Sequence, residues 1–280
     1  MTEMNESSML ISISTGITVP TLQTYQSTRL GTHPVVIFGH GLGSTNPKLK
    51  DHLKDKWIAL ATDAVSDYAT VISYTARGHG RSTGWELSAE TNPTQFTWIE
   101  LGKDMTAVAD HFSTGSYIAG GSSMGSATSL YAAIEHPERV LGLILIRPPT
   151  AWEARTARRK NLLNSADRLQ KQELDAHQSA VNSGSLSTED TTPRFHHVLR
   201  GTAYSDLPPV DSAAYKLIQH IPTLILTIEG DAAHPVATAE ALHTVLPRSS
   251  LHVAPDIDTA AATWPTLIKN FVRAIPQTNM

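Results

Sequence analysis

Tyr117-Ile118-Ala119-Gly120-Gly121-Ser122-Ser123-Met124-Gly125-Ser126-Ala127 runs from an apolar segment through a small-residue turn into a helical pattern. A short β-rich run leads into glycines and serines, and an alanine-rich helical pattern follows. Gly121 to Gly125 fit the pattern G-x-S-x-G. A serine meant to attack must stand on a sharp, strained turn at the end of a strand, with its oxygen exposed. Small residues two before and two after it let strand and helix pass closely. The helix that follows aims its free N–H groups at a developing oxyanion. Only Ser123 fits the register, because Ser122 would need glycine where the chain has Met124. Glycine and serine also cluster in ordinary turns, so the surroundings decide.

The chain has 280 residues, 40% hydrophobic and 17% charged, enough for one large α/β domain or a domain with a small insertion. Its net charge of −4 provides no basic field for nucleic acid. The absence of cysteine excludes disulfides and thiolate chemistry. Met1 to Ser8 carry Glu3 and Glu6, no basic residue and no apolar core, so no secretory signal is expected. The longest apolar run, Val140 to Ile146, is far too short to span a bilayer. The expectation is a cytoplasmic protein acting on a small molecule, without membrane or nucleic-acid partners.

On either side of this strand–turn–helix elbow, hydrophobic runs alternate with amphipathic ones. Met9 to Ser14 and Thr21 to Ser27 alternate apolar and polar, as a half-exposed antiparallel edge would. Pro34 to Phe38 reads as a strand buried on both faces and ends in Gly39-His40-Gly41-Leu42-Gly43-Ser44. Lys48 to about Ala64 reads as a helix, with Leu49, Leu53, Trp57 and Leu60 on one face. Thr70 to Tyr74 is the next strand, running into Arg77-Gly78-His79-Gly80-Arg81-Ser82. Gln95 to Phe112 is helical. After the elbow, a helix to Glu135 stops at Pro137, and Val140 to Ile146 is another buried strand. Such alternation means βαβ units and a parallel sheet.

The alternation breaks at Pro148-Pro149. From Trp152 to about His220 no strand pattern occurs. Two charged helical pieces, Arg155 to Gln172 and Glu173 to Val181, and polar loops fill this stretch. Residues 149–220 read as an inserted helical cap, leaving 1–148 and 221–280 as the core. Strand and helix signals resume at Pro222 to Ile228, Pro235 to Leu246, Leu251 to Val253 and Trp264 to Ile275.

Three motifs in this order, each after a strand, resemble the α/β-hydrolase family, in particular its capped, esterase-like members. The resemblance covers nearly the whole chain from Met9 to Ile275. It implies a mostly parallel eight-stranded sheet flanked by helices, with an inserted helical cap. His40-Gly41-Leu42-Gly43 is similar to the family's loop after the third strand, which implies that the Leu42 and Met124 amides form an oxyanion hole. Arg77 to Ser82 resemble the family's R-G-H-G-x-S turn. Ser123 falls where the nucleophile is expected. Gly230-Asp231 with Pro235 resemble the turn carrying the triad acid, which makes Asp231 the candidate. No cofactor and no metal is implied.

The histidine departs from the family. It is expected after the last strand, where this chain has Pro255-Asp256-Ile257-Asp258-Thr259. A serine hydroxyl without a base is a poor nucleophile. His234, three residues after Asp231, is a candidate base, oriented by Asp256 or Asp258, or else a solvated loop or capping residue. His252, inside the last strand, and His196 and His197, in the cap, are further candidates. The last alternative is that no histidine serves. His40 and His79, in turns, read as hydrogen-bonded scaffold. Asp231 could instead cap the helix that starts near Pro235. Trp85 and Trp152 line a pocket or belong to the core. Arg155 to Lys160 read as a solvated helix face.

The reading that follows is a serine hydrolase acting on a small ester, thioester or lactone. The alternative is a non-catalytic small-molecule binding protein on the same scaffold. A dinucleotide oxidoreductase fares worse, because the third glycine of G-x-G-x-x-G would be Ser44. No Gly-Lys-Ser/Thr and no H-E-x-x-H occurs. An aspartate-nucleophile dehalogenase is excluded by Ser123.

Overall fold

The computed structural model describes residues 6–13, 21–27, 34–44, 55–80, 82, 93–185 and 195–276. Eight strands form one sheet: β1 (Glu6–Ser12), β2 (Thr21–Ser27), β3 (Val35–Gly39), β4 (Thr70–Thr75), β5 (Tyr117–Ser122), β6 (Val140–Ile146), β7 (Thr223–Ile228) and β8 (Ser249–Ala254). Their order is β1-β2-β4-β3-β5-β6-β7-β8. β1 and β2 are antiparallel, and β2 joins β4 antiparallel. The other six strands run parallel. This is the α/β-hydrolase fold class expected from the sequence.

The parallel strands are nearly continuous apolar runs because helices cover both faces. Residues of successive strands alternate between two cores, as the two-residue period of a strand requires. Ile37, Ala119, Leu143 and Ile225 pack under α2 (Trp98–His111), α3 (Met124–Glu135) and α7 (Val236–Val245). Val36, Phe38, Ile118, Ile144 and Leu226 pack under α1 (Lys56–Val65) and α8 (Ile257–Ala274). Each buried Leu or Ile contributes about 1.5–3 kcal/mol. β8 ends the sheet and is half-exposed, so its histidine, His252, sits in a strand far from the elbow's neighbours.

Several helix boundaries differ from expectation. α1 starts at Lys56 because Asp55 caps it, accepting from the Trp57 and Ile58 amides at 3.0 and 3.2 Å. Leu49 and Leu53 lie outside the described residues, as does Trp85. Pro93–Phe96 form a 3-10 turn, and α2 begins only at Trp98. α8 begins at Ile257 rather than Trp264 and continues through Pro265, which removes one helical hydrogen bond.

Between β6 and β7 stand α4 (Trp152–Asn182), α5 (Phe195–Ala203) and α6 (Ala214–Ile218), with no strand among the described residues of this stretch. The two expected helical pieces are one continuous α4. Leu162 and Ala166 of α4 pack on Leu199 and Ala203 of α5, and Leu42 leans on this small core. Arg155 does not belong to a solvated face, being only 2% exposed. Among the described residues no helix is long and apolar enough to cross a membrane.

Candidate active site

The register of the sheet brings two loops together. Gly39, at the end of β3, pairs with Gly121, near the end of β5, and Ser122 pairs with Ile146 of β6. The chain must then turn from β5 into α3 within one residue. Ser123 makes that turn with φ 52 and ψ −112. A non-glycine residue at positive φ is strained, and such strain concentrates at functional sites. The turn exists because its neighbours have no side chains. A Cβ on Gly121 would lie 2.2 Å from the Gly125 carbonyl carbon, and one on Gly125 would lie 2.1 Å from the Gly39 oxygen. Ser123 is left half-buried, with its amide donating to Ile146 O at 2.9 Å.

His234 Nε2 lies 2.8 Å from Ser123 Oγ. On the other side of the ring, Nδ1 lies 2.9 Å from Asp231 Oδ2. An ionised carboxylate only accepts, so Nδ1 carries the proton and Nε2 accepts from the serine hydroxyl. Acid and imidazole both come from the single connection between β7 and α7. His234 N donates to Asp231 O at 3.1 Å, and Asp231 Oδ1 accepts from Ala233 N at 3.0 Å. Thr150 N donates to Ala233 O at 3.1 Å, tying this loop to the segment after β6 and carrying the imidazole across the end of β6 to the elbow.

Arg147, the first residue after β6, fills the gap between them. It too has a positive φ, 50. Its Nε donates to Asp231 Oδ2 at 3.0 Å, and its second amino group pairs with the same oxygen. Burial raises the Asp231 carboxyl's proton affinity, but the bonds from Arg147 and His234 outweigh it and hold the group at about 2. Burial and the Arg147 charge lower His234, against the opposing pull of Asp231. The imidazole is therefore neutral, as a base must be, over a wider range than a free histidine.

Leu42 and Met124 flank the serine. Neither amide donates to an acceptor among the described residues. Met124 opens α3, where amides have no intrahelical partner. The Leu42 loop is pinned by Asp55 Oδ2, which accepts from Gly41 N at 2.8 Å. A Cβ placed on Gly41 would lie 3.6 Å from Ser123 Cβ, which measures how closely this loop approaches the elbow. Beneath it, His79 Nε2 accepts from Gly43 N at 3.2 Å, and His40 Nε2 accepts from Ala76 N at 2.9 Å. The Nδ1 of each ring bonds a backbone carbonyl. Burial holds His79 down at about 3 and lowers His40, so both are neutral scaffold. Arg77 pairs with buried Asp104, fixing the R-G-H-G turn.

A family model described as alpha/beta hydrolase fold matches residues 34–185, more than half of the chain. The chain belongs to the α/β-hydrolase-fold family. A probable proline iminopeptidase from Leptolyngbya boryana is 26% identical, with 79% of each chain covered. The enol-lactonase from Burkholderia xenovorans LB400 superposes with a TM-score of 0.65 at 18% identity, covering 95% of this chain and 100% of the other. A thermophilic esterase from Thermogutta terrifontis gives 0.62 at 20% identity, covering 95% and 97%. Membership of the α/β-hydrolase fold, with relatives that carry hydrolase names, supports a hydrolase acting on small molecules.

Against this family, the fold places Asp256 at the N-cap of α8, where Oδ1 accepts from Thr259 N at 2.7 Å. Asp256 is therefore not the orienting group of His234, and Asp258 merely sits in the first turn of α8. Asp231 holds that position, and it does not cap α7, whose N-cap is Pro235. His196 lies in α5 and pairs with Glu173 of α4, while neighbouring His197 stacks on it at 4.0 Å between centroids. Trp152 is half-buried against the main core and donates from Nε1 to Pro208 O at 2.8 Å. The sequence reading missed Asp55 and Arg147. Arg147 offers only a charge directly after an apolar strand, and Asp55 falls inside the helix expected from Lys48 to Ala64.

Proposed function

We propose that this protein is a serine hydrolase that cleaves a small ester, thioester or lactone. The observation that carries the reading is the continuous path Ser123 Oγ to His234 Nε2 at 2.8 Å and His234 Nδ1 to Asp231 at 2.9 Å. In this reading His234 takes the Ser123 proton as Oγ bonds to the acyl carbon. The Leu42 and Met124 amides hold the oxyanion, each donor contributing about 10²–10³ in rate. Collapse breaks the bond to the leaving group, and His234 gives its proton to the departing oxygen or sulfur. A water then attacks the acyl-enzyme, its proton passing to His234 and on to Ser123 as the acid leaves. Residues 149–220 act as a cap over a core of 1–148 and 221–280.

The neutral, carboxylate-oriented imidazole supports this reading over that of a binding protein without turnover. A fluorophosphonate probe is expected to add to Ser123, located by peptide mass spectrometry, and Ser123→Ala is expected to lose both labelling and ester hydrolysis, the latter by about 10⁶. Labelling at no serine, or hydrolysis that survives Ser123→Ala, overturns it.

A further inference from the structure

Ser123 faces two hollows. One is an open groove of about 250 Å³ beside Trp57, Asp55 and Arg147. The other is a narrower space of about 30 Å³ beneath α4, room for a small polar group. The small hollow has an unusual wall. Arg155 and Arg158 line it, and among the described residues no carboxylate does. Arg155 is buried and donates only to carbonyls, those of Ser205, Thr150 and Thr202 at 2.8, 3.1 and 2.6 Å, with its guanidinium 4.1 Å over the Trp98 ring. Arg158 is exposed and has no acceptor among the described residues.

Three further lining residues hold polar atoms without partners. Trp98 Nε1, Thr150 Oγ1 and Thr202 Oγ1 are buried and find no hydrogen-bond partner among the described residues. The three residues are 1%, 6% and 3% exposed. Buried polar atoms are nearly always satisfied, so three orphans around one space point to a missing partner. All three can donate, and Trp98 can only donate. Arg155 feels the Asp206 carboxylate from outside the hollow, whereas Arg158 meets no carboxylate among the described residues, and a cation beside three unfilled donors asks for what they ask for, an anion.

We infer that this hollow is an anion subsite that receives a carboxylate on the acyl half of the substrate, with Arg158, Trp98, Thr150 and Thr202 as donors. The inference rests on Ser123 being the nucleophile. The acyl half belongs here because it stays attached while the leaving group departs, and the open groove offers the exit. A space of this size takes the carboxylate head and no chain beyond it, so the acid must sit on a short arm. The substrate class is therefore a half-ester, with the free acid on its acyl side.

The test compares monoethyl succinate with ethyl succinamate, which has the same shape and no charge. The unchanged protein is expected to hydrolyse the acid at least about tenfold more efficiently by kcat/KM, the size expected of charge-assisted hydrogen bonds. Arg158→Gln is expected to reduce that ratio about fivefold or more, and Thr202→Val to reduce it by less. Because each variant is scored as a ratio of two esters, a loss of folded protein cancels. Equal rates for the two esters, or a ratio untouched in Arg158→Gln, overturns the subsite while leaving the serine chemistry standing. If neither ester is hydrolysed, calorimetry on the unchanged protein decides. Tighter binding of monoethyl succinate than of the amide, weakened in Arg158→Gln, supports the subsite. Equal binding or none, as a water-filled hollow would give, overturns it.

Discussion

Two connections leave neighbouring parallel strands, and each carries an aspartate and lies near a histidine. The β7–α7 connection holds Asp231 and His234. The β8–α8 connection holds Asp256, with His252 just before it in β8. In the first, Arg147 and His234 draw the carboxylate into the site and lower its proton affinity to about 2. In the second, the carboxylate is spent on a helix amide, and His252 is held in an edge strand. The same residue types serve different ends because the segment after β6 reaches one loop and not the other. Arg147 and the Thr150–Ala233 bond supply that reach.

The comparison can be broken most directly at the histidines. His234→Ala is expected to lower kcat by about 10⁴ or more, whereas His252→Gln stays within about twofold. Ester hydrolysis assays of both variants decide it, and a reversed order would move the base to β8. Next come the acids. Asp231→Asn is expected to cost about 10³–10⁴ in kcat by losing the correct tautomer.

Arg147→Gln sharpens the account through pH. The Arg147 charge lowers His234, so removing it raises the histidine. The base must be neutral, so the acidic limb of the kcat/KM profile is expected to move to higher pH. A shift of one unit would cost about tenfold at a pH below both limbs. A limb that stays in place would show that Arg147 only holds the loop. The smallest effect is expected at Asp256→Ala. Activity is unchanged, and thermal or urea unfolding shows a small loss of stability from the missing cap. A large loss of activity there would return Asp256 to the site.

The contrast also separates what could be read locally from what could not. The strands, the elbow glycines, the His40–Gly43 loop and Asp231 were legible because each rests on a short-range rule. Period-two burial, a serine two residues from each glycine, and an aspartate just past a strand are all patterns within a few residues. Helix ends were less legible where a single cap decided them, as at Asp55 and Asp256. The orienting partner of His234 was misplaced to Asp256 or Asp258 because sequence position suggested a family loop, while the bond runs within its own turn. Arg155 was read as solvated because its neighbours Arg158 and Arg159 are polar, yet it turns inward onto Trp98 and three carbonyls.

By itself, the sequence determined a parallel α/β scaffold with Ser123 at the end of its fifth strand, since hydrophobic period and glycine spacing are properties of the local chain. Only the tertiary structure decided which imidazole meets that serine, because the pair is separated by 111 positions and joined by loops from different strands. It also decided the charges around them. Burial and distance set whether a guanidinium is a surface group, a clamp on a carboxylate or an unmatched cation, and neither quantity is written in the order of residues.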